Sequence, residues 1–403
     1  MMFLRTVFIF CISLCFIYSA QGIEKVKPGV EIKKENYKEF QADFKNLLPE
    51  STFKHYSNAV ENGWLTIKVV KKKTYRGPEG WIKQTEENRG KFKVAEDNRL
   101  LGPKWKGGIP FPEPKNGQEI GWNAYRRYQC GRDFKNYSEF NLYAKTGKKE
   151  RSFKNWFFKL FYLGRTENPP IPEVPGNNGE LTWKESMLIM DPYDVKGFAM
   201  IRTHFEDINK IDDVYSYLPA LRRLRRLTGS DTTDPVLGSD SCYDDFEYWH
   251  QKLDSTMSFK FIGERNFLTL CHVDVKPENM MAKNCINGDW EIRPMYILEI
   301  KHNDPNYAYS KRIFCIDKED GLGTIQYAEN FDRKGRLWRG NCLSHILYVD
   351  PKTNMRNWFG GIFKDVITGH SSVLDMNPVD YELKNVTIGP EYFTVKKLIS
   401  TAK

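Results

Sequence analysis

The sequence predicts a mainly antiparallel β protein with some helix, built as one large curved sheet or open half-barrel with helices covering a face. Three observations carry this. Short runs rich in β-branched and aromatic residues recur at Gly197–Phe205, Val214–Leu218, Met295–Ile300, Lys311–Ile316 and His345–Val349, each bounded by Asp, Asn, Gly or Pro. No long helical pattern separates them, which favours a meander. Aromatic residues make up 14% of the 403 residues, enough apolar surface to offset the entropy of ordering, so the chain is not intrinsically disordered. No internal repeat is present, which excludes a propeller or solenoid.

The first element is an address. Residues 1–22 (MMFLRTVFIFCISLCFIYSAQG) hold one cation, Arg5, then the apolar stretch Val7–Tyr18, then Ala20-Gln21-Gly22. This is the three-part plan of a cleaved secretory signal, and its core is too short for a spanning helix. Residues 23–403 are then one large exported domain, and with a mean hydropathy of −0.59 the chain is not a polytopic membrane protein. A helical lead-in occupies 23–60, where Tyr37, Phe40, Phe44, Leu47 and Leu48 recur at helical spacing before Pro49. From Trp64 the pattern alternates: Leu65, Ile67 and Val69 share one face of a strand, Thr66 and Lys68 the other. Leu101–Gly117 is a loop rich in Pro, Gly and Lys, and Asn123–Cys130 reads as a strand or a short helix. Residues 168–179 (NPPIPEVPGNNG) are the best candidate for a hinge or an exposed crossover.

Six cysteines lie beyond the signal: Cys130, Cys242, Cys271, Cys285, Cys315 and Cys342. An even number in an exported chain is compatible with disulfides, and buried thiols fit equally well. No pair has zinc-site spacing.

The densest segment is 212–248. Leu221, Leu224 and Leu227 recur every three residues with Arg222, Arg223, Arg225 and Arg226 between them. On a helix the arginines make one basic face; on a strand, which suits the flanking Pro219 and Thr228-Gly229, they divide between two faces. Downstream lie the acids Asp231, Asp234, Asp240, Asp244, Asp245 and Glu247. Two readings stand: Arg–carboxylate pairs that fix a long loop against the sheet, or an anion site for a lipid headgroup or acidic partner. A formal net charge of +9 and an arginine run interleaved with leucine argue against nucleic acid.

This segment also carries a resemblance. Tyr217-Leu218-Pro219-Ala220-Leu221, the basic run Arg222–Arg226, and Gly238-Ser239-Asp240 through Tyr243-Asp244-Asp245 resemble the DUF1329 family of bacterial exported proteins. Gly107–Pro112, Asn123–Tyr128 and Asp332–Trp338 are similar to further elements of that family. Cys242 departs from the pattern, where an aromatic or small residue is expected. The resemblance implies a fold like that of the lipoprotein carrier LolA and of LolB, a curved sheet around an apolar cavity. It implies a periplasmic, outer-membrane-associated setting, a lipid or lipoprotein as ligand, peripheral membrane association, and an exporter of the RND class as partner. The ligand- or partner-binding candidates are Arg222, Arg223, Arg225, Arg226, Asp240, Tyr243, Asp244 and Asp245. It brings neither a cofactor nor a catalytic residue.

Signatures of enzymes are weak. The sequence has no HExxH, no Gly-x-Ser-x-Gly and no Walker loop; Gly321-Leu322-Gly323 reads as a hairpin turn. His272-Val273-Asp274 places two metal-ligand types on one strand face with no third. Three functions remain open: a lipid or lipoprotein carrier, a protein-interaction module of an exporter or outer-membrane assembly, and an unrecognised hydrolase.

Overall fold

The structure is a computed structural model describing residues 25–129, 133–227, 232–248, 252–273, 281–342, 348–350, 355–357, 360–376 and 388–401. The signal at 1–22, Cys130, Asp231 and Asp274 lie outside these residues, as does all but the end of the strand expected at His345–Val349.

The lead-in forms two helices, α1 (Tyr37–Asn46) and α2 (Glu50–Glu61), divided at Pro49, which caps the second. Tyr37, Phe44, Leu47 and Leu48 are all buried, as their spacing predicts. Before them lies β1 (Glu31–Ile32) and after them β2 (Ile67–Val69), in which Ile67 and Val69 are buried and Lys68 is exposed. Two further helices, α3 (Glu79–Asn88) and α4 (Gly117–Tyr125), flank the Gly/Pro loop. Of the element expected at Asn123–Cys130, Asn123–Tyr125 are the end of α4, which starts earlier because Asn116 caps it, and 126–129 follow without regular structure. The Asn116 side chain accepts from the Glu119 N–H at 3.0 Å, and the Glu119 carboxylate accepts from the Lys115 N–H at 2.6 Å.

Two antiparallel meanders then build the sheet. The first is β3 (Asp133–Tyr143), β4 (Lys149–Phe161), β5 (Leu181–Asp191), β6 (Ala199–Phe205), β7 (Asp213–Leu218) and β8 (Arg223–Leu227). After β9 (Met257–Val273) comes the second: β10 (Gly288–His302), β11 (Tyr309–Asp317), β12 (Ile325–Asp332), β13 (Leu337–Cys342), β14 (Gly360–Asp365) and β15 (Ser371–Met376). The meanders join where β15 pairs with β3, Val373 opposite Asn141. The order is β1-β2-β10-β11-β12-β13-β14-β15-β3-β4-β5-β6-β7-β8, with β9 on the other side of β10. The result is a large curved sheet that does not close on itself. A short helix, α5 (Val395–Thr401), comes last.

Cross-strand register divides the sheet into two buried faces. On the first, Met295, Cys315, Tyr327, Ile362 and Val373 pack under α1 and α2, and Leu160, Ala199, Ile201 and Tyr217 pack under Leu398 of α5. On the second, Leu298, Phe314 and Ala328 pack under α3 and α4, and Phe134, Phe140, Phe153, Phe363 and Leu374 form an aromatic patch. Burial on both sides leaves most central strands without polar alternation. Residues 168–179 connect β4 to β5. Arg165 donates to both Asp133 oxygens at 2.8 and 2.6 Å and to the carbonyls of Asn168, Pro169 and Pro170, which ties this connection down.

Cys242, Cys271, Cys285 and Cys315 are buried thiols rather than disulfides. A core of this size holds without covalent staples; of these thiols, Cys242 Sγ donates to Asp245 Oδ2 at 3.1 Å and Cys285 Sγ lies 3.3 Å from His55 Nε2. Among the described residues, no helix is long and apolar enough to cross a membrane.

Candidate functional site

The Arg run forms a strand, not a helix. Pro219–Leu221 make a 3₁₀ turn, Arg222 takes the left-handed conformation at φ 49°, and β8 returns alongside β7 with Leu224 opposite Tyr217 and Arg226 opposite Tyr215. Arg222, Arg223, Arg225 and Arg226 are all exposed. Arg226 pairs with Asp213; the other three have no ion-pair partner among the described residues. Among the described residues, no arginine of the quartet pairs with Asp234, Asp240, Asp244 or Asp245; Asp231 and the Glu247 side chain lie outside what is described. Asp240, Asp244 and Asp245 are buried and find other partners, Asp245 because strands β11–β13 put different arginines beneath it, whereas Asp234 is exposed.

Residues 232–248 lie over the second face of the sheet. Asp245 is fully buried. Its Oδ1 accepts from Arg312 Nη2 at 3.1 Å and Asn330 Nδ2 at 3.2 Å; its Oδ2 accepts from the Cys242 N–H at 3.0 Å and Tyr309 Oη at 2.7 Å. Arg339 lies 3.9 Å away and donates to Tyr309 Oη at 3.1 Å. Register explains the convergence: Arg312 sits opposite Asn330, which sits opposite Arg339, so three neighbouring strands present one polar row. Asp244 Oδ2 accepts from Thr232 Oγ1 at 2.9 Å and Tyr307 Oη at 3.0 Å. Burial pushes the Asp244 carboxyl up to about 6, with Arg202 and Arg312 offsetting only part of it. The same burial, with Asp245 and Asp244 adjacent, pushes the Cys242 thiol well up, so it is not a reactive thiolate.

The other candidates complete this cover. The Tyr243 ring lies 3.9 Å beneath the Arg202 guanidinium. Asp240 accepts from Ser372 Oγ at 2.7 Å and bonds His370 Nδ1 at 2.6 Å, while His370 Nε2 meets Glu150 at 2.7 Å. Phe246 stands 5.6 Å from Phe140 and 5.3 Å from Phe363, ring centre to ring centre, and Leu237 joins the same patch. The open apolar cavity implied by the resemblance is thus closed over here. The cover sets Leu237 and Phe246 on phenylalanines and, next in sequence to Phe246, the Asp245 carboxylate on Arg312.

A second buried group escaped the sequence reading. Asp212 Oδ2 bonds Arg202 Nε and His204 Nδ1, both at 2.7 Å, and Tyr125 Oη meets His204 Nε2 at 2.7 Å. Trp183 stacks on His204 with ring centres 4.4 Å apart. Burial holds His204 down at about 4, against the pull of Asp212. Tyr125 and His204 are 79 positions apart, and only the Ala-Tyr-Arg-Arg-Tyr run hinted at one member. The adjoining cavity, lined by Tyr125, Lys159, Trp183 and His204, has room for about 20 Å³, a single water. The relay ties α4 to β5 and β6. His272 bonds Glu291 at 2.8 Å and Tyr75 at 3.2 Å, and among the described residues no cluster of His, Cys, Asp or Glu is arranged to hold a metal ion.

Comparison with known proteins agrees with this architecture. A crystallised domain described as a putative outer membrane lipoprotein-sorting protein domain from Vibrio parahaemolyticus matches at 20% identity and TM-score 0.50, over 70% of this chain and 98% of its own. A DUF1329 protein from Desulfovibrio piger matches at 19% identity and TM-score 0.46, over 66% and 91%. A LolA-superfamily protein from Nitrosomonas europaea matches at 14% identity and TM-score 0.43, over 70% and 99%. No curated protein matches the sequence. The family model described as a protein of unknown function, DUF1329, matches residues 31–398, almost the entire chain beyond its lead segment, and the chain belongs to the DUF1329 family.

Proposed function

We propose that this chain is a non-catalytic carrier that shelters the apolar part of a lipid or lipidated protein on the second face of its sheet, with residues 232–248 as a displaceable cover. One observation carries the reading: the cover imitates an amphiphile. Leu237 and Phe246 lie on the aromatic patch, and the Asp245 carboxylate lies on Arg312. A cover held by buried polar contacts is replaceable by a ligand bringing both kinds of group, whereas an apolar plug would be the more stable permanent filling. Each methylene removed from water contributes about 0.8 kcal/mol, so one long acyl chain can outweigh the loss of the cover's own contacts. The lipoprotein-sorting description of the Vibrio domain belongs to that protein; the shared fold makes the same class of cargo the first to try here. A periplasmic setting and an RND-class exporter as partner belong to the same proposal.

The test is to purify the full chain without detergent, extract it with organic solvent, and titrate it with a fluorescent long-chain fatty acid. The reading expects co-purifying acyl lipid or saturable uptake, with faster amide exchange in 232–248 on binding. Repeated absence of both lipid and uptake overturns it.

A further inference from the structure

We propose that the β8 edge is a docking surface for an anionic lipid bilayer. The proposal stands on geometry independent of the cover. β8 ends the strand order, and among the described residues nothing pairs with its outer side. Arg222, Arg223 and Arg225 are exposed along this edge strand and its turn, and have no ion-pair partners among the described residues. In the same turn and edge strand Leu221 is 53% exposed and Leu224, on the opposite face of β8 from Arg223 and Arg225, 38%, so the rim carries apolar side chains as well as cations.

Register brings one more loop to this rim. Tyr217 lies opposite both Leu224 of β8 and Ala199 of β6, so the 192–198 connection that precedes Ala199 emerges beside the 219–222 turn. That connection carries Tyr193, 92% exposed, and the exposed Lys196; its Asp194 is neutralised by Arg151 at 2.5 Å. The rim therefore offers leucines and a tyrosine able to enter the headgroup boundary, ringed by cations able to meet lipid phosphates. The partner that suits this edge is anionic, since these three arginines have no carboxylate partner among the described residues. It is a surface more readily than an added strand, because charged side chains along a short edge oppose strand pairing.

The experiment is co-sedimentation of the full chain with vesicles of phosphatidylcholine alone and of phosphatidylcholine with about 30% phosphatidylglycerol, a composition that gives a strongly anionic surface. Binding is expected to the anionic vesicles only and to weaken with salt. The variant Arg222→Gln/Arg223→Gln/Arg225→Gln should lower affinity roughly a hundredfold, from the usual contribution of each cation at an anionic surface. All three side chains are exposed, so its melting curve should match wild type, and Leu221→Asp should weaken binding on its own. A control, Lys25→Gln/Lys27→Gln/Lys34→Gln, removes equal charge from the exposed lead-in and should bind nearly as wild type. The proposal is overturned if wild type ignores anionic vesicles, if the control loses as much as the arginine variant, or if the edge binds an acidic peptide while vesicles stay unbound.

Discussion

Replacing Asp245 by Asn tests the cover most directly. Oδ1 of Asp245 receives two donors and Oδ2 three, so an amide must turn its NH₂ toward either Arg312 and Asn330 or the Cys242 N–H, the Cys242 thiol and Tyr309 Oη. In both orientations donor faces donor, and the guanidinium of Arg312, 1% exposed, loses its counter-charge. Breaking a buried pair from one side costs about 3–5 kcal/mol. The chain can escape that cost by lifting 232–248 and letting water reach Arg312, so the penalty should appear as local opening and not as collapse of the sheet. With about 1.4 kcal/mol per factor of ten, amides of 240–246 should exchange roughly two to three orders of magnitude faster by hydrogen–deuterium exchange mass spectrometry. The amides of β11 and β12 should keep their protection. Adding Arg312→Met, which removes the stranded charge, should restore much of the loss. An acceleration below about tenfold would show that Asp245 does not hold the cover. Parallel loss in β11 and β12 would show that the segment is part of the core.

Three further outcomes are expected. His55 and His302 are buried and held neutral, each down at about 3 by burial, with Lys364 and Arg312 respectively adding to the effect. The unfolded chain takes up protons on both below its ordinary histidine pKa while the folded chain does not. The two should therefore cost stability as pH drops from about 6.5, by roughly 1.4 kcal/mol per unit for each. The raised Asp244 carboxyl acts with the opposite sign, so the measure is the difference in the slope of stability with pH, from urea titrations, between wild type and His55→Gln/His302→Gln; equal slopes between about pH 7 and 5 would contradict this. Arg165→Lys keeps the charge but cannot reproduce the fork to Asp133 together with three loop carbonyls, so it should cost about 2–3 kcal/mol and make 166–174 sensitive to limited proteolysis, and an unchanged urea midpoint would refute it. A Cβ at Gly340 would stand 2.1 Å from the Ser51 side chain, so Gly340→Ala should cost about 1–3 kcal/mol and Ser51→Gly should relieve it. Additive losses in the double variant would rule out that contact.

Local pattern made part of this architecture readable. The 65–69 alternation, the Pro49 break, the Gly/Pro loop and the strands at 199–205 and 311–316 each come from a period or a turn residue inside a short window. The Asn116-x-x-Glu119 cap of α4 is equally visible as a motif and marks the true start of that helix. Strands β3–β5 are hard to see because aromatic residues sit on both faces, as with Phe134 and Tyr137 of β3 or Trp156 and Phe157 of β4, which blurs the alternation. The site was legible only as a list of acids and arginines. Arg226 is the quartet arginine nearest to Asp245 in sequence, yet Asp245 binds Arg312, 67 residues on. Which arginine meets which acid is decided by the register of β11, β12 and β13, and no neighbouring residue encodes that.

The seam between the meanders has a consequence for how the molecule comes into being. Residues 371–376 hydrogen-bond with 138–143, so β3 lacks one of its neighbours until nearly the whole chain has been synthesised. Long-range pairing of this kind makes folding slow and dependent on the late segments. A chain cut before residue 371 would keep its first meander but expose the backbone of β3, a strand rich in aromatic residues, as a new edge. Such a fragment should aggregate instead of forming half a protein.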